Sequence, residues 1–485
     1  MAALRPIHQD DGWYASFALR MLSDWGIFDN VSFFSFADSN GNDKPIGFLF
    51  SLLQLPFYTI IGINVLAARI FNAIIITLLL YVINLIIRVL APAFNWVIVV
   101  LFIVHPVFYY HFYNRPELVA LLLSSTSMYL LITANGNSQK TFTAYMLWAF
   151  ILDVHPIAIF TVAGVGMVYW FNNKQTTKFV LSGGLIGIML YLGLCSLLNG
   201  NFGLLDSFIN KTNGNFGDHY LPLFQSDFND YMRIAKERFQ TLKASFLLSL
   251  IWILIPLFIY RKFKIKGFVS LILFNTITFW VLAIFLTEAS SNGFGLYSLY
   301  MFIFLFVVLL NTISESYQFK PVWNWVLVLP LLLFMTKSTV GLVSKYYSYY
   351  TPFQKNFAVV ESCIPNGSKV LSRPIFAFNM GLKSLHVDYT FGILNVMLDN
   401  KISFEDAIRF KKYDYVVLDE RNLYDELLID QRSETLFLNP AYSRYKGIGI
   451  TKDDFNKLLS KGFLQKECEF EEMSHGKTVI YKVFN

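Results

Sequence analysis

The chain has 485 residues and a formal net charge of +6, yet only 15% of it is charged, against 55% hydrophobic and 18% aromatic. A soluble globular protein carries roughly 25% charged residues, so most of this chain is built for lipid, in keeping with a mean hydropathy of +0.48. The excess of cations reflects loops facing the cytoplasm and not a nucleic-acid surface, because no long basic run with interleaved aromatics is present.

Charge is unevenly distributed. Residues 341–485 carry 19 of the 39 Lys and Arg and 18 of the 33 Asp and Glu, which predicts a separate domain after a membrane part. Three units follow: an outer loop with juxtamembrane helices over 1–64, a transmembrane domain over 65–340, and an α/β domain over 341–485. The fold class is thus a polytopic α-helical membrane protein with a C-terminal extracytoplasmic α/β domain.

At the start, Asp10-Asp11-Gly12-Trp13-Tyr14 puts two adjacent carboxylates before aromatics in an otherwise apolar chain, and Asp43-Lys44-Pro45 adds a third acid with a base beside it. Residues 46–62 are apolar but short, with Gln54 and Pro56 inside, as an interfacial or re-entrant helix would be. Spans of about 20 apolar residues are predicted near 65–87, 93–111, 117–134, 141–154, 156–172, 178–198, 244–260, 268–287, 294–312 and 322–340. That makes about ten helices, with a long outer loop at 199–243.

Orientation follows from the cations in short loops. Arg261-Lys262-Phe263-Lys264-Ile265-Lys266 marks the cytoplasmic side, and counting spans from it puts Arg88, Lys140, Lys174, Lys178 and Lys320 there too. The same count places residues 1–64, the loops around Arg115 and His155, the 199–243 loop and the C-terminal domain outside. The outer ends of the spans then collect Arg69, His105, His111, Arg115, Glu117, Asp153 and His155, on the side of Asp10, Asp11, Asp43 and Lys44. Polar groups at membrane depth are costly and point to function. The plainer reading is helix-to-helix hydrogen bonding and snorkelling, which suits His105 and His111 better than it suits the paired acids.

In the C-terminal part, Tyr413–Leu418 and Thr478–Val483 are strand-like. Ser403-Phe404-Glu405-Asp406 and Thr451-Lys452-Asp453-Asp454 resemble capping boxes, with Gly462 ending the second helix. Alternation of strand and helix predicts a partly parallel sheet. Cys363 and Cys468 share the oxidising side and are either a disulfide or two free thiols.

Taken together, Asp10-Asp11-Gly12-Trp13-Tyr14, Asp43-Lys44-Pro45 and Ala67-Ala68-Arg69 resemble the GT-C-fold membrane glycosyltransferases, nearest to the branch of protein O-mannosyltransferases and lipid A aminoarabinose transferases. Arg115-Pro116-Glu117 and His155-Pro156 look like outer-loop signatures of bacterial members. The resemblance covers roughly residues 8–340. It implies a multi-pass protein of the bacterial inner membrane that moves a sugar from a polyprenyl-phosphate carrier to a protein, lipid or glycan acceptor on the extracytoplasmic face. It also implies that the C-terminal domain is an accessory one packed over the membrane site. Family members begin with a span that delivers the acidic loop outside, whereas only nine residues precede Asp10, so a first span is expected to be missing here.

The chemistry asks for these residue types. Transfer from a phosphate-linked sugar passes through an oxocarbenium-like state helped by a base on the acceptor hydroxyl; Asp10 or Asp11 is that base. Charge developing on the phosphate needs cations or a metal. Lys44, Arg69 and Arg115 supply the cations and His155 a further hydrogen bond, with Asp43, Glu117 and Tyr14 as other candidates. Asp10, Asp11 and Asp43 form a candidate Mg or Mn site. Two other classes compete: a transporter or flippase of lipid-linked glycans, which would show internal repeats and broken helices, and a non-catalytic scaffold whose C-terminal domain binds a partner, which leaves the paired acids unexplained. A competing enzyme is a glycan polymerase or ligase, for which outer arginines are more expected than paired acids.

Overall fold

The computed structural model describes residues 48–62, 64–90, 115–172, 176–199, 353–373, 386–420, 423–432, 445–472 and 476–484, with shorter pieces that include Ala15, Ala18, residues 273–279 and 299–301. Helices α1 (Phe48–Ile61) and α2 (Val65–Leu90) come first. Gly62 separates them at φ +95°, a left-handed conformation that suits glycine. Asn64 then starts α2 by accepting from Ala67 N at 3.0 Å through its side chain. With 26 residues, α2 is about 39 Å long and is, among the described residues, the one helix long and apolar enough to cross a membrane. The short apolar 46–62 segment is α1, with Pro56 inside it.

Next come α3 (Glu117–Ile132), α4 (Ser138–Val154), a 3-10 turn (Pro156–Ile159), α5 (Phe160–Asn172) and α6 (Thr176–Asn199). These elements coincide, within a few residues, with the predicted segments 117–134, 141–154, 156–172 and 178–198. The segments 93–111 and 244–260 lie outside the described residues, and the last three are described only in part. Asn135 and Gly136 turn α3 into α4 at φ +45° and +83°. Asn137 then caps α4 by accepting from Lys140 N at 3.1 Å.

Small residues set the helix spacing, as they do where apolar surroundings give no hydrophobic drive between helices. Ser127 Oγ of α3 donates to Ala144 O of α4 at 3.0 Å and accepts from Trp148 Nε1 at 3.0 Å. Gly183 and Gly187, four apart on α6, face α4 so closely that a Cβ would lie 2.7 Å from Phe142 O and 2.6 Å from Met146 O. Asn275 ties a further helical piece to α5, accepting from Val165 N at 3.0 Å and donating to Thr161 O at 2.6 Å.

The C-terminal part opens with α7 (Phe353–Cys363) and builds a five-stranded mixed sheet in the order β2-β1-β3-β5-β4. Its strands are β1 (Lys369–Ser372), β2 (His386–Tyr389), β3 (Tyr415–Asp419), β4 (Leu464–Glu472) and β5 (Gly476–Val483). Both β2 and β3 pair with β1 in parallel, whereas β5 runs antiparallel to β3 and β4. Helices α8 (Thr390–Asn400), α9 (Phe404–Lys411) and α10 (Lys452–Ser460) make the connections. Both expected caps form: Ser403 Oγ accepts from Asp406 N and Thr451 Oγ1 from Asp454 N, each at 3.1 Å. Gly462 follows α10 at φ +73°. Where β1 and β3 end side by side, buried Arg373 lies 3.3 Å from Asp419 and 3.4 Å from Glu426. Arg432 donates there to the carbonyls of Tyr445, Ile448 and Glu426. This network satisfies charges that would otherwise be costly to bury. Cys363 of α7 and Cys468 of β4 form a disulfide, with Cα atoms 6.4 Å apart.

Candidate active site

Four of the predicted outer-end residues lie at helix ends that antiparallel packing brings to one side of the bundle. Arg115 and Glu117 enter α3, with Pro116 as its N-cap. Asp153 and His155 leave α4. At the opposite ends of the same two helices, Lys140 Nζ donates to Thr133 O at 3.1 Å. Lys140 thus lies at the opposite end of the antiparallel α3–α4 pair from Arg115 and His155.

Arg115 Nη2 lies 2.7 Å from Glu117 Oε1; the Glu117 side chain is 0% exposed and that of Arg115 13%. A carboxylate in the first turn of α3 also meets the positive end of the helix dipole. Glu117 thus holds the guanidinium in place from within the protein, leaving Arg115 as the member nearer the solvent.

Asp153 is buried and does a different job. Its Oδ2 accepts from Leu49 N at 2.9 Å, at the start of α1, so the end of α4 fixes the entry of the helix that follows the acidic N-terminal stretch. His155 caps α4: its backbone N donates to Ile151 O at 2.9 Å, and its own carbonyl accepts from Ala158 N at 3.0 Å. The ring is half-buried and its Nδ1 lies 3.0 Å from Tyr297 Oη. Burial pushes the imidazole below its ordinary pKa; Glu117 opposes this and Arg115 adds to it. Arg115, Glu117 and His155 therefore act on one another electrostatically.

Arg69 is buried in the first turns of α2. Its neighbours Ala67 and Ala68 pack with Ala15, Ala18 and Tyr58 in one apolar cluster, so the chain just past the acidic motif reaches the same helix. Asp10, Asp11, Tyr14, Asp43, Lys44, His105 and His111 lie outside the described residues. Among the described residues no group of three His, Cys, Asp or Glu is arranged to hold a metal ion.

Tyr297 was not singled out from the sequence. A signal existed: the span count that puts His155 outside also puts the start of 294–312 outside, and Tyr297 is one turn into it. Tyr297 and Tyr300 are both fully buried, and Tyr300 Oη lies 3.0 Å from Ser125 Oγ of α3.

The chain matches no protein-family model and no curated protein. In fold, it matches the crystal structure of ArnT from Cupriavidus metallidurans bound to undecaprenyl phosphate, with a TM-score of 0.57 and 10% sequence identity, over 99% of this chain and 94% of that one. The chain has an ArnT-like GT-C fold. At the level of fold, this bears out the resemblance read from Asp10-Asp11, Asp43-Lys44-Pro45 and Ala67-Ala68-Arg69. The match covers both the helical part and the sheet, and so extends beyond residues 8–340 over which the sequence resemblance was read.

Proposed function

We propose that this protein is an integral-membrane glycosyltransferase that moves a sugar from a polyprenyl-phosphate-linked donor to an acceptor on the extracytoplasmic face. The observation that carries the reading is the ArnT-like fold over 99% of the chain, seen in a protein crystallised with undecaprenyl phosphate. Convergence of Arg115, Glu117 and His155 at one side of the bundle supports it, because a phosphate leaving group needs fixed donors and positive charge where its own charge develops.

In this reading Arg115 is held by Glu117 and brings its positive charge to the phosphate. Arg69 and Lys44 add charge, and His155 adds a hydrogen bond. Asp10 or Asp11 takes the proton from the acceptor hydroxyl as it attacks the anomeric carbon, and the carrier phosphate leaves with the electrons of the broken bond. Three carboxylates, Asp10, Asp11 and Asp43, are the hard oxygen donors that Mg or Mn prefers; a divalent ion there would neutralise charge on the phosphate. The protein then sits in the bacterial inner membrane, with its N-terminal loop and C-terminal domain outside.

The test is transfer from radiolabelled polyprenyl-phosphate sugars by the purified protein, comparing wild type with Asp10→Asn and Asp11→Asn. Loss of turnover in one variant names the base. Unchanged turnover in both overturns the assignment of the acids, and no transfer from any lipid-phosphate sugar overturns the activity.

A further inference from the structure

Tyr297 and His155 come from distant parts of the chain, 142 positions apart, yet Tyr297 Oη lies 3.0 Å from His155 Nδ1. Their rings lie 5.5 Å apart at a tilt of 44°. The backbone leaves the imidazole little freedom, since His155 is pinned between the end of α4 and the 3-10 turn. Which nitrogen faces outward as a donor is then decided by what Nδ1 does.

A neutral imidazole has one donor nitrogen and one acceptor nitrogen. Burial favours the neutral ring here. A phenol is a far better donor than acceptor, so the natural partner of Tyr297 Oη is a bare Nδ1. The proton then resides on Nε2, and the hydrogen bond at one nitrogen sets the role of the other. Beside the Arg115–Glu117 pair, an Nε2–H is a donor suited to an anionic oxygen.

We propose that Tyr297 is a positioning residue: its hydroxyl donates to His155 Nδ1 and fixes the ring as the Nε2–H form, which presents Nε2 as a donor to a phosphate oxygen of the lipid carrier. The proposal rests on the lipid-phosphate reading above and deepens it. Tyr297 acts on the phosphate only through the histidine in this scheme.

The experiment uses full-length protein in liposomes with nitrogen-labelled histidine. The His155 signal is identified among the seven histidines by its disappearance in His155→Gln. In the wild type, His155 Nδ1 is expected bare and Nε2 protonated, and in Tyr297→Phe the ring is expected to divide between both forms. Undecaprenyl phosphate is the binding probe. Tyr297→Phe is expected to weaken its binding about five- to tenfold, the scale of one hydrogen bond to a charged group, at an unchanged melting temperature. His155→Gln should show a similar loss, and adding Tyr297→Phe to it should cost nothing further, since the two act as one unit.

Three results overturn the proposal: a protonated Nδ1 in the wild type, an unaltered ring in Tyr297→Phe, or losses that add in the double variant. If the wild type does not bind undecaprenyl phosphate, the phosphate reading fails instead. The spectrum then still decides whether Tyr297 sets the ring.

Discussion

Val65 and Cys468 pack against the same apolar cluster, made of Val360, Ile364, Val370, Tyr415, Val417 and Ile480. Val65 is the first residue of α2 and also packs with the cluster of Ala15, Tyr58, Ala67 and Ala68. The C-terminal sheet is thereby seated on the end of the helix that carries Arg69. Through the disulfide, β4 and α7 are locked at that seat.

Removing the cross-link should therefore loosen the seat. Cys363 and Cys468 are 105 positions apart, and closing a loop of that size stabilises a fold by about 4–5 kcal/mol in the chain-entropy account. The paired variant Cys363→Ser with Cys468→Ser should unfold at clearly lower denaturant than the oxidised wild type, and a reductant should shift the wild type by the same amount. Equal midpoints in all three samples would refute the cross-link as a structural element.

Glu117 offers a sharper separation of charge from packing. Its carboxylate is fully buried 2.7 Å from Arg115, and breaking such a pair costs about 3–5 kcal/mol because one charge is left without its counterpart. Glu117→Gln is expected to lower stability and to raise the KM for a lipid-phosphate donor, because Arg115 loses the group that aims it. The double variant Glu117→Gln with Arg115→Gln should recover part of the stability but none of the donor affinity. Recovery of both, read by thermal unfolding and donor titration, would show that Arg115 has no part in binding.

How much of this was legible beforehand depends on the kind of signal. Helices α2 to α6 announce themselves by apolar runs, and the caps at Ser403 and Thr451 follow from local side-chain chemistry alone. Convergence of Arg115, Glu117 and His155 followed from counting spans, which is a one-dimensional argument. The contacts that finish the site are different. Tyr297 reaches His155 across 142 positions, and Leu49 reaches Asp153 across 104. Nothing in either neighbourhood encodes the partner. Sheet order was hidden for the same reason: alternation predicts a partly parallel sheet, but which strands pair in parallel, and the antiparallel β5 between β3 and β4, depend on returns of the chain that no local pattern carries.

Gly187 tests whether close helix approach holds the bundle together. A Cβ at this position would meet Met146 O at 2.6 Å, which is backbone and cannot swing aside. Gly187→Val should force α6 off α4 and lower stability by about 1–3 kcal/mol or more, the range for overpacking. Gly184→Val is the control, since nothing lies within 4 Å of its Cβ position. Equal melting temperatures for the two variants would remove the glycine contact from the account of the fold.

Metal removal distinguishes the two jobs proposed for the N-terminal acids. If Asp10, Asp11 and Asp43 hold Mg or Mn, chelation should abolish transfer from a radiolabelled polyprenyl-phosphate sugar, and either ion should restore it. A base needs no ion, so a lone catalytic Asp leaves turnover indifferent to chelator. The Asp43→Asn variant sharpens the distinction. If Asp43 is a ligand, its replacement should raise the metal concentration needed for half-maximal turnover about tenfold or more, on the order of the loss seen when a metal site is weakened, with kcat recovered at saturation. Full turnover of both wild type and Asp43→Asn in chelator would leave Asp10 or Asp11 acting as base alone, with Arg69, Arg115 and Lys44 carrying the charge of the leaving phosphate.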